Sequence, residues 1–173
     1  MESSAVDMLL GDLLGRCHSA CQTADLATES AVGLQPSTER CSEQLLHVAQ
    51  TIKGIEDELA RLFLPALPGS NPDTNPTPPF GSAFSSRVPS WTPSPPPLPV
   101  PPELLPLRAV YSTEEADLLI HDIRGIRTVF SIGAELKLEP SQMAPLVVGA
   151  SQTVRRLEPI LRDFAAVLRS RLT

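Results

Sequence analysis

Three histidines and three cysteines are the residues of this 173-residue chain with the readiest chemistry. His121 has the most suggestive neighbours, in the run His121-Asp122-Ile123-Arg124-Gly125. An imidazole in water can take a phosphoryl group, Asp122 can act as base, and Arg124 can steady the transferred charge. On a helix, His121 shares a polar stripe with Asp117, Arg124 and Thr128 and therefore faces solvent, a setting in which a histidine often has no chemical task. Cys17, His18, Cys21, Cys41 and His47 raise the question of zinc. No C-x-x-C pair is present, and Cys17 and Cys41 fall on apolar seams, where cysteine serves as a small buried hydrophobe. Leu10-Gly11-Asp12-Leu13-Leu14 fits L-x-x-L-L, a pattern that core packing of an amphipathic helix also generates. The expectation is no catalytic site, no metal and no cofactor.

The elements that would hold these residues are helices. Cys41, Leu45, Val48, Ile52, Ile55, Leu59 and Leu62 are spaced 4, 3, 4, 3, 4, 3, an a/d seam sustained for three heptads. The seam predicts a helix from about Ser37 to Leu64, which is marginal alone and needs a partner along its apolar side. Before it, Val6, Leu10, Leu13, Cys17, Ala20, Ala24, Ala27 and Ala31 keep the same rhythm, with Ser4 and Asp7 as a variant capping box. Gly33 and Pro36 end that first helix, and Ser37 or Thr38 caps the next. So short a connection predicts an antiparallel hairpin.

A second hairpin is predicted beyond residue 106. Ser112 and Glu115 form a capping box for a helix whose apolar face is Ala116, Leu119, Ile120, Ile123, Ile126, Phe130 and Gly133 or Ala134. The last helix carries Met143, Val147, Ala150, Val154, Leu157, Leu161, Phe164 and Leu168 at seam spacing. Pro145 suits its first turn if Ala144 ends the loop, and Pro159 should kink it. Arg162, Arg169 and Arg171 gather at the negative end of its dipole.

Between the hairpins, residues 65–106 hold fifteen of the nineteen prolines and show no helical or strand period. This composition predicts a disordered tether that leans toward polyproline II. Within it, Pro96-Pro97-Leu98-Pro99 has the pattern of a WW-domain ligand, and Thr77, Thr92 and Ser94 each precede a proline. The net charge is −6. Residues 1–64 hold four basic against ten acidic groups, which argues against direct nucleic-acid binding. No apolar run is long enough for a membrane span, the first residues lack a signal peptide's basic start, and the cysteines show no disulfide framework. Nucleus or cytoplasm is the expected location.

Two resemblances carry functional expectations. His121 to Gly125, ending in Ala134-Glu135-Leu136, resembles the phosphoacceptor helix of sensor histidine kinases and the H-x-x-[KR]-G motif of phosphotransfer domains. Ile126 stands where the kinases carry proline, and Ser131 where phosphotransfer domains carry glycine. This resemblance implies a histidine phosphotransfer or kinase dimerisation-type module using His121. Separately, Ile132 to Leu172 resembles the C-terminal segment of fungal zinc-cluster transcription regulators of the aflatoxin-regulator type. The likeness runs through Ile132-Gly133-Ala134, Leu136 to Gln142, and the seam around Arg155 to Leu161. The six-cysteine cluster and its basic flank are absent, so it implies a regulator's interaction region without the DNA reader.

The fold expected is all-α: an N-terminal hairpin over 1–64, a tether over 65–106 and a C-terminal hairpin over 107–173, packed as one four-helix bundle or as two coiled-coil units. The function expected is a non-catalytic scaffold or regulatory subunit, homo- or hetero-oligomeric, that binds other proteins through its seams. The residues assigned to that role are Cys41, Leu45, Val48, Ile52, Ile55, Leu59, Leu62, Val147, Val154, Leu157, Leu161, Phe164 and Leu168.

Overall fold

The first helix, α1 (Glu2–Val32), buries the row from Val6 to Ala31 that its spacing foretells. It begins at Glu2, ahead of the Ser4 position expected for its cap. At the far end the Gly33 N–H donates to the Glu29 carbonyl at 2.8 Å. A Cβ on Gly33 would stand 2.6 Å from that same oxygen, so the chain turns this tightly only without a side chain. The computed structural model that shows this arrangement describes residues 2–64, 100, 102–136 and 138–172.

α2 (Thr38–Phe63) starts at Ser37, whose hydroxyl accepts from the Arg40 N–H at 3.4 Å, and all seven of its seam residues are buried. Most of the proline-rich stretch, with the WW-type pattern at Pro96 to Pro99 and the Ser/Thr-Pro sites, lies outside the described residues. The end of the stretch, assigned above to a tether, is built into the fold. Pro102–Leu104 forms a 3-10 turn, α3 (Leu107–Val110) adds one helical turn, and Leu104 and Leu107 are buried. Arg108 then donates to the carbonyls of Leu62 at 2.6 Å and Arg61 at 3.0 Å, two of the acceptors that the end of α2 leaves open.

α4 (Thr113–Glu135) opens with the capping box of Ser112 and Glu115 and buries Ala116, Leu119, Ile120, Ile123, Ile126, Phe130 and Gly133. α5 (Pro140–Val154) begins with Pro140 in its first turn, where the missing N–H costs nothing. Pro145 therefore sits inside α5, one turn beyond the position expected for it. The break foreseen at Pro159 appears as a two-residue turn at Arg155 and Arg156, after which α6 (Leu157–Leu172) resumes. A proline cannot donate to the carbonyl four residues back and crowds it, which places the fault at Arg155.

Contacts across the chain fix the topology. Gly54 approaches the Arg16 side chain, so α1 and α2 are antiparallel. Glu56 meets Arg124 and Arg127, while Gly133 approaches Leu45, so α2 and α4 are antiparallel. Asp25 pairs with Arg155 and Asp7 with Arg169, which sets α5 and α6 antiparallel to α1. The result is an up-down-up-down four-helix bundle in which the broken helix α5–α6 forms the fourth member. Of the two packings open to the sequence, the single bundle is the one formed: both hairpins contribute to one continuous core. Phe63, Tyr111 and Phe164 close one end, with ring centroids 5.1 to 5.7 Å apart. Such tilted and edge-on pairs add roughly 0.5–1.5 kcal/mol each beyond area burial.

Candidate functional site

Once the seams are buried, any site for chemistry or binding must lie on the outer faces. Every seam residue singled out for partner contact, from Cys41 to Leu62 and from Val147 to Leu168, is at most 3% exposed. The surfaces that cover these seams are the chain's own other helices. Leu10 and Leu13 of the L-x-x-L-L run are also buried.

α4 carries the most distinctive outer face. Its core-facing row is complete, yet Leu118, Val129, Ile132 and Leu136 remain exposed, Leu118 at 69% and Ile132 at 53%. With Asp122 and Gly125 they continue a 4, 3, 4, 3, 4 spacing, a second stripe beside the buried one. Gly125 leaves the middle open: nothing lies within 4 Å of where its Cβ would be. His121 and Asp122 are both exposed, as are Asp117 and Thr128. Arg124 is engaged elsewhere. Its Nε lies 2.7 Å from Glu56 of α2, so the cation assigned to a transferred phosphate serves a helix–helix ion pair. Arg127 approaches the second oxygen of Glu56 at 2.9 Å, a contact of charges without hydrogen-bond alignment.

Toward its start, α4 forms one wall of a groove whose other wall is α6. The groove has a volume of about 360 Å³, with Leu118, Leu119, Ile160, Phe164 and Val167 as its apolar lining and Glu115, Asp122 and Asp163 among the groups at its edge. The Glu115 carboxyl is held far down, to about 2, chiefly by hydrogen bonds from Arg171 and then by those from Ser112.

The cysteines divide between α1 and α2. Cys17 and Cys41 are buried and Cys21 is half-buried; His18 and His47 are exposed. Among the described residues no group of three His, Cys, Asp or Glu side chains could hold a metal ion. A hydrogen bond from Cys17 lowers the Cys21 thiol, against the opposing effects of burial, Asp25 and Glu158. Cys17 itself is raised well beyond the normal thiol range by that hydrogen bond and by burial.

Two features escaped the sequence reading. Glu56, a charged residue off the predicted seam, is 6% exposed and joined to two arginines sixty-eight and seventy-one positions later. The signal available was its position directly after Ile55, at the edge of the seam. The outer stripe of α4 was legible in principle, since Leu118, Val129, Ile132 and Leu136 recur at helical spacing off the assigned apolar face.

No family model, curated protein or solved structure matches the chain. Among the described residues, no helix is long and apolar enough to cross a membrane.

Proposed function

We propose that this chain is a non-catalytic helical interaction protein, a scaffold or regulatory subunit that binds other proteins in the nucleus or cytoplasm. Regulation of transcription is the process that the resemblance of Ile132 to Leu172 suggests. One observation carries the reading: large apolar side chains line the outside of α4 although the core beneath is already filled. Exposed apolar rows of this kind mark interaction surfaces more often than isolated surface leucines do. The heptad seams enter this function indirectly, by holding the bundle that displays the outer face. The test is affinity purification with the wild-type chain and with Val129→Glu/Ile132→Glu. Both positions are exposed, so the variant should melt like wild type and lose partners. A variant that keeps every partner sinks the reading.

A second reading is a phosphotransfer module acting through His121. The exposure of His121 beside the apolar stripe favours it, since a donor protein must reach the ring and dock next to it. An acid-labile phosphate on the wild-type chain, absent from His121→Ala, would establish it. Absence of label from wild type under the same phosphodonors rejects it.

A further inference from the structure

The interaction reading places binding on the outer face of α4 and leaves the partner's chemistry open; the α4–α6 groove lies at the start of that face. We propose that this groove receives an amphipathic helix of a partner protein, with apolar anchors on one side and lysines or arginines flanking them. The proposal rests on the interaction function and specifies the partner's chemistry.

The floor supplies the apolar half of the argument. Leu118 stands largely in solvent on one wall, Ile160 and Val167 are half-buried on the other, and Phe164 lies beneath. A space of about 360 Å³ is at the small end of binding cavities, roughly 300–1,000 Å³. It suits the side chains of one segment and is too small for a folded domain. A groove between parallel or antiparallel helices is a natural seat for a further helix, which offers anchors at i, i+3 or i+4, and i+7.

The edge supplies the charge. The cations of α4 and α6 are already engaged: Arg171 with Glu115, Arg162 with Glu158, Arg169 with Asp7, and Arg124 and Arg127 with Glu56. The carboxylates of Asp122, on α4, and Asp163, on α6, have no cation among the described residues. Two uncompensated negative charges bordering one apolar floor select a positively flanked segment. A second copy docking by the same face would set Asp122 and Asp163 against their own equivalents, and like charges in apposition disfavour that pairing.

The test uses the full chain and a synthetic helix of about 18 residues, long enough to be helical, with leucines at a and d and lysines between. Its counterpart has glutamate in place of every lysine. The Leu/Lys helix should give saturable fluorescence anisotropy, should perturb the methyl resonances of Leu118, Ile160 and Val167, and should bind at least tenfold more tightly than the Leu/Glu helix. Asp122→Lys/Asp163→Lys should weaken it at least tenfold, and so should Leu118→Ser, with unchanged melting in both cases. The proposal is overturned by equal binding of the two helices, by methyl shifts confined to other faces, or by no binding. It is also overturned if the free chain is a dimer through this face, or if deleting residues 80–91 shifts these methyls because the chain's own segment occupies the groove. If the aspartate variant loses no cellular partner while Val129→Glu/Ile132→Glu does, the groove assignment fails and the interaction reading stands. If neither loses a partner, both fail.

Discussion

Glu56 offers the sharpest check on the bundle, because its two arginines differ in exposure. Its carboxylate is 2.7 Å from Arg124 and 2.9 Å from Arg127; the arginine side chains are 56% and 27% exposed. At an effective dielectric of about 20, each contact represents on the order of 6 kcal/mol of attraction, much of it offset by the cost of drying the charges. Arg124 lies at the surface, so in Arg124→Ala water can take the place of its hydrogen bond to the Glu56 Oε1, and the loss should be about 1 kcal/mol or less. Arg127→Ala removes the cation facing the other oxygen, which is closed to water and has no hydrogen bond, and should cost about 2–3 kcal/mol, and Glu56→Ala a similar amount. Replacing the inner pair together, Glu56→Met/Arg127→Leu, should restore most of the loss, since apolar side chains of similar volume carry no desolvation cost. Urea unfolding at neutral pH, with slopes compared to confirm an unchanged transition, reads each value. Arg124→Ala costing as much as Arg127→Ala, or Glu56→Ala within about 0.5 kcal/mol of wild type, would refute the reasoning.

Ile52→Ala/Ile55→Ala deletes two fully buried side chains from α2, each typically costing ~2–5 kcal/mol against a total of ~5–15, so circular dichroism should show a lowered melt or loss of helix. The carboxyl of Glu115 is depressed to about 2, so its contribution to stability is present above the unfolded value near 4.3 and is lost as the pH falls toward 2. An acid titration followed by circular dichroism should therefore show a flatter limb between about pH 4.3 and 2 for Glu115→Gln than for wild type. Iodoacetamide should label Cys21 first, because Cys17 lowers its thiol, while Cys17 and Cys41 should react only on unfolding; Cys17→Ala should slow the labelling of Cys21, by mass spectrometry.

Periodicity made the interior legible. The rows from Val6 to Ala31, Cys41 to Leu62 and Met143 to Leu168 are buried throughout, because a heptad row defines one side of a helix whatever covers it. Ser37 and the Ser112–Glu115 box were readable because caps use local chemistry. Which row meets which is a tertiary fact, and the joining of both hairpins in one core was left open for that reason. The same limit hid the Glu56–Arg124–Arg127 cluster, whose members are adjacent only once α2 and α4 pack. Leu104 was lost among prolines, since composition averaged over a long stretch conceals a leucine that returns to the core. The outer stripe of α4 belongs to the candidate site and was missed because one apolar face had already accounted for that helix.

The return of the chain at Arg108 to the end of α2 changes what the intervening segment contributes. Arg108 bonds to the Leu62 carbonyl forty-six residues back, so the segment leaves and rejoins the bundle at nearly the same place. Its two ends are held together by the core on either side of it. A cut between residues 65 and 99 leaves every described core contact in place and removes the high effective concentration that one half of the bundle presents to the other. A nicked molecule should therefore elute as a single species, and its two pieces made separately should find one another. The intact chain melts at a temperature independent of dilution, whereas the reassembled pair must melt lower as it is diluted.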